Sequence, residues 1–74
     1  MAIYGHTESS TQPIRLREVT FQLLPEELRN VAVFLTSRAA EIEARTFVDG
    51  GRHLRDEHSG LSGYDVIVVP PTAE

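Results

Sequence analysis

Between Leu24 and Arg45 (LPEELRNVAVFLTSRAAEIEAR) the apolar residues Leu28, Val31, Leu35, Ala39 and Ile42 recur at spacings of three and four. That period places them on one helical face. Ala32 and Phe34 widen the stripe, and Glu27, Arg29, Asn30, Ser37, Arg38, Glu41 and Arg45 occupy the remainder. Pro25 suits the first helical position, where its missing N–H would be unpaired in any case. Glu26 and Glu27 then fall in the first turn, near the positive end of the helix dipole. Glu41 and Arg45 stand four apart in the order that favours an ion pair on a helix surface.

Upstream, the pattern changes period. Val19, Phe21 and Leu23 alternate with Glu18, Thr20 and Gln22, which predicts a strand with one buried face. Ile14 and Leu16 belong to the opposite register, so a bulge or a strand start near Arg17 is expected. Ala2 to His6 can supply a short pairing strand, with Thr7–Pro13 (TESSTQP) as a polar, flexible loop. After the helix, Phe47 and Val48 suit a strand and Asp49-Gly50-Gly51 a turn. A second polar loop (EHSGLSG) precedes Tyr64–Val69 (YDVIVV), whose β-branched residues predict a well-buried strand. Pro70 and Pro71 end it, since neither donates to a ladder.

These elements predict a two-layer α+β domain: one amphipathic helix on a three- to four-stranded, mostly antiparallel sheet, in the order ββαββ. The 74 residues fit a single domain, with an ordered core over about 14–70 and a frayed tail at 72–74. One helix covers one side of a sheet. A homodimer across the other side is therefore an expected alternative.

Composition narrows the chemistry. A chain this short buries only about 60 to 65% of its unfolded surface, so stability is modest. There is no cysteine, which excludes disulfides and thiolate zinc sites. The net charge is −4, and all seven basic residues are arginine. An acidic balance argues against phosphate-mediated binding of nucleic acid and against an anionic membrane surface. The longest apolar run of the C-terminal strand, Val66–Val69, is too short to span a bilayer. The N-terminal residues lack the pattern of a secretory signal, so a cytoplasmic location is expected.

The densest group of reactive side chains is His53, Asp56, Glu57 and His58. His53, Asp56 and His58 could converge on a transition metal, as His and Asp ligands suit zinc. Their spacing matches no HExxH-type signature, and the alternative is a polar loop whose side chains cap backbone groups. Ser9, Ser10 and Ser59 lie in loops without a triad pattern. Gly50-Gly51 and Gly60-Leu61-Ser62-Gly63 match no phosphate-binding fingerprint and read as turns. A one-helix domain also leaves little volume for a pocket. No catalytic residue and no cofactor is expected. Arg15 and Arg17 share a strand face, and Arg52 and Arg55 flank His53-Leu54. Were these strands neighbours, an arginine patch facing Glu18 and Asp56 would form.

Several stretches taken together carry a resemblance: Glu18–Phe21 leading to Pro25-Glu26-Glu27-Leu28-Arg29, then Phe34-Leu35, Ala39–Ile42, His53-Leu54-Arg55-Asp56 and Asp65–Val68. Over residues 14–70 the chain resembles one of the small α+β immunity-protein families that accompany bacterial polymorphic toxins. The resemblance implies a cytoplasmic, non-enzymatic protein that neutralises a cognate toxin by tight binding. An acidic protein would suit masking a nuclease. The partner-binding surface is expected at His53, Arg55, Asp56 and Glu57. The alternatives are a homodimeric structural or regulatory protein, and a metal- or small-molecule-binding domain.

Overall fold

The helix begins where the sequence places its start. In the computed structural model, which describes residues 2–47, 51–58 and 63–71, helix α1 spans Pro25–Glu43 with Leu24 as N-cap. Leucine offers no oxygen to cap the first turn. The Glu27 side chain instead reaches back and accepts the Leu24 N–H at 2.9 Å, the reciprocal half of a capping box. At the far end Arg45 adopts φ of 59°. Its N–H donates to Ile42 O at 3.1 Å, and the Thr46 N–H donates to Glu41 O at 2.9 Å. This is a Schellman closure with arginine where glycine is usual.

Among the described residues four short strands accompany the helix. Strands β1 (Ile3–Gly5) and β2 (Ile14–Leu16) pair antiparallel, with Ile3 opposite Leu16 and Gly5 opposite Ile14. Strands β3 (Arg52–His53) and β4 (Ile67–Val68) pair antiparallel, with Arg52 opposite Val68 and His53 opposite Ile67. A 3-10 turn, Leu54–Asp56, follows β3 directly. The architecture is thus α+β, but the described residues form two separate two-stranded ladders rather than one sheet of three or four. The alternating stretch around Val19–Leu23 runs outside both ladders. Val19 and Phe21 stay exposed, and only Leu23 packs against the core. Alternation alone cannot secure a strand without a neighbouring edge to receive its hydrogen bonds. Likewise only Ile67–Val68 of the predicted Tyr64–Val69 strand is in a ladder. Val48–Gly50, Ser59–Ser62 and the 72–74 tail lie outside the described residues.

The core centres on Val31, Phe34 and Leu54, with Leu23, Tyr64, Val66 and Val68 packed around them. Phe34 and Leu54 retain 1% and 0% of their surface. The buried helix face takes only one side of the predicted stripe. Val31 and Phe34 of that stripe are buried and Arg38, expected among the polar positions, joins them, while Leu28 and Leu35 remain 42% exposed. Phe34 brings more apolar area than either leucine, and aligning it with Leu54 draws the helix round. Gly51 matters to the β3–β4 pairing. Its φ is +86°, and a Cβ there would stand 3.1 Å from Val69 Cγ1, so both backbone and space select glycine.

Candidate functional site

Every feature of the candidate site depends on how the 52–57 segment is tied down. The Leu54 side chain is driven into the core, and its N–H donates to Val66 O at 2.8 Å. The N–H groups of Glu57 and His58 both donate to Leu54 O, at 2.9 and 3.0 Å, closing the 3-10 turn.

On one flank, Asp65 organises the turn. Its Oδ2 lies 2.7 Å from His53 Nδ1, and its Oδ1 accepts the N–H of Arg55 at 3.0 Å and that of Val66 at 2.9 Å. Partial burial by itself would raise the Asp65 carboxyl pKa. The hydrogen bonds from His53, Arg55 and Val66, with the adjacent imidazole, outweigh it and hold the group below its ordinary value. The sequence hinted at this residue, since Asp65 is the one acid within an apolar strand.

On the other flank, Arg38 lies buried at 5% exposure. Its guanidinium stacks 5.0 Å from the Phe34 ring centroid, a cation–π arrangement. Nη2 donates to Glu41 Oε2 at 2.9 Å and Nη1 donates to Glu57 Oε2. Arg52 Nη1 donates to Glu41 Oε1 at 3.2 Å, so two arginines alternate with two carboxylates. Among the described residues Arg38 Nε is buried without a hydrogen-bond partner. The Glu41–Arg45 pair expected from spacing does not form, because Arg45 has left the helical conformation and Glu41 faces Arg38 and Arg52. Spacing missed the role of Arg38. It follows Phe34 by four residues, which puts it on the Phe34 side of the helix rather than the solvent side.

A third tie joins the segment to the helix start. The Tyr64 hydroxyl donates to Glu27 Oε2 at 3.2 Å. Partial burial, then this hydrogen bond and the carboxylate charge, raise the phenol above its usual pKa.

The structure therefore divides the residues singled out by sequence. His53 is held by Asp65, and Glu57 is turned to Arg38. Arg55 and Asp56 are exposed on the outside of the turn. His53, Asp56 and His58 do not converge: among the described residues no three His, Asp or Glu side chains are grouped to hold a metal ion. The arginine patch does not assemble either, as β2 and β3 belong to different ladders. Among the described residues no helix is long and apolar enough to cross a membrane. Comparison with family models, with curated proteins and with solved structures returns no match to this chain, leaving its own geometry as the ground for a functional reading.

Proposed function

We propose that this chain is a non-enzymatic protein-binding module that presents the Leu54–Asp56 turn to a partner. The observation that carries the reading is the immobilisation of this turn. Leu54 anchors it in the core while Asp65 and Arg38 clamp its two ends, yet the Arg55 and Asp56 side chains stand in solvent. A loop ordered before binding loses little conformational freedom on association. Arginine at such a position is among the residues that most often dominate an interface. His53 and Glu57 act as positioning residues, and Arg55 with Asp56 make the contacts.

The resemblance to toxin-associated immunity proteins supplies the class of partner: a cognate bacterial toxin, neutralised by tight binding in the cytoplasm. The net charge of −4 supports a basic target such as a nuclease. The test is co-purification with the product of a neighbouring toxin-like gene, followed by titration. The native chain should form a stable complex. The double variant Arg55→Ala/Asp56→Ala should bind about 30-fold or more weakly at unchanged helicity. Failure of the native chain to bind any such product would sink the reading. Equal binding by the variant would remove the turn from it.

A further inference from the structure

We propose that the outward face of α1 is a self-association surface on which a second copy of this chain docks antiparallel. Leu28, Ala32, Leu35, Ala39 and Ile42 follow one another at spacings of four, three, four and three. This is the repeat of a helix–helix seam. The fold leaves that seam outside the core. Leu28 and Leu35 are each 42% exposed, Ala32 and Ala39 are exposed, and Ile42 is half-buried. The adjacent face, with Val31, Phe34 and Arg38, already serves the interior. The helix thus carries two apolar stripes and one is vacant.

The vacant stripe is complementary to itself. Large side chains (Leu28, Leu35, Ile42) alternate with alanines, and an antiparallel copy sets Leu28 beside Ile42 of the other and the two Leu35 side chains together at the centre. Small residues between them allow the helices close approach. A twofold axis near Leu35 makes such a contact closed and isologous. The charges fix its direction. Arg29, Thr36 and Glu43 border the stripe at intervals of seven, all exposed, and neither charge enters an ion pair among the described residues. Antiparallel pairing sets Arg29 of each copy opposite Glu43 of the other, with Thr36 at the centre. Parallel pairing sets each charge level with its own duplicate. Arg38, which also borders the seam, is committed to Glu41 and Glu57 inside the protomer. From Leu28 to Ile42 the contact runs about 22 Å, which suits a reversible dimer rather than an obligate one.

This inference is independent of the partner assigned to the Leu54–Asp56 turn, which lies outside the seam. Sedimentation velocity on the full chain over a dilution series tests it. The native chain should be a dimer that dissociates on dilution. Leu35→Glu should be monomeric throughout with its helical circular dichroism retained. Arg29→Glu should weaken the dimer about tenfold at low salt, as two like-charge contacts replace two attractive ones. Arg29→Glu/Glu43→Arg, whose net charge equals that of the native chain, should restore it. A native chain that stays monomeric at every concentration overturns the proposal, as does a dimer indifferent to Leu35→Glu. Weakening by Arg29→Glu that the second reversal leaves unrepaired overturns the antiparallel arrangement. The two charge variants alter only exposed positions, so they decide the matter even if Leu35→Glu unfolds.

Discussion

Asp65 Oδ2 stands 2.7 Å from His53 Nδ1, joining the residue that ends β3 to the one that approaches β4. The other carboxylate oxygen accepts the Arg55 and Val66 N–H groups. A single side chain thus stabilises the start of the turn, its backbone and the return strand together. Its effect is local to the surface from which Arg55 and Asp56 project.

The lowered pKa of Asp65 ties this arrangement to pH. A carboxyl with a depressed folded value contributes stability that is complete above its unfolded value, near pH 4, and is lost as pH falls through the folded value. Denaturant midpoints measured between neutral pH and pH 2 should decline for the native chain. Asp65→Asn, which keeps one acceptor oxygen but not the charge, should be about 1–2 kcal/mol less stable at neutral pH. Its acid decline should be shallower. An identical acid profile would rule out the role given to Asp65.

The ion-pair cluster predicts an asymmetry. Glu41 and Glu57 retain partial access to water, whereas Arg38 is nearly inaccessible. Removing the arginine leaves carboxylates that water and Arg52 can satisfy. Removing both carboxylate charges leaves a buried cation. Glu41→Gln/Glu57→Gln should therefore cost about 3 kcal/mol and Arg38→Met about 1 kcal/mol, read by urea unfolding. Equal losses would contradict the burial argument.

The helix closure predicts a gain. Arg45 holds φ of 59° in a Schellman turn and forms no ion pair among the described residues. Glycine takes that conformation without the Cβ clash. Arg45→Gly should stabilise the protein by about 1 kcal/mol and raise Tm by several degrees. A lower Tm would show that the arginine side chain holds a contact of greater value.

The core is small enough for one residue to decide folding. Leu54→Ala removes a fully buried side chain from the apolar centre that it forms with Val31 and Phe34 among the described residues and should cost about 3 kcal/mol. In a domain whose total stability is a few kcal/mol, that is most of the margin. Far-UV circular dichroism and amide dispersion in NMR spectra should report a largely unfolded chain. Native-like spectra would mean that the anchor of the turn lies elsewhere.

The helix was legible in the sequence because its determinants are local: Pro25 at the first position, acids in the first turn and apolar residues at spacings of three and four. The β1 strand and the turn-forming character of 53–58 were legible for the same reason. Which stripe of the helix would be buried was not. The stripe read from spacing, Leu28, Val31, Leu35, Ala39 and Ile42 widened by Ala32 and Phe34, was buried only on its Val31–Phe34 side, with Arg38 added, because burial was decided by Leu54, Tyr64 and Val66 arriving from the far end of the chain. Sequence also placed His53, Arg55, Asp56 and Glu57 in one segment, but their division into clamps and presented side chains required Asp65 and Arg38 in space. Periodicity describes a chain folding against itself nearby. The partners of an ionised or aromatic side chain, separated by many residues, are set only when the tertiary packing brings them within reach.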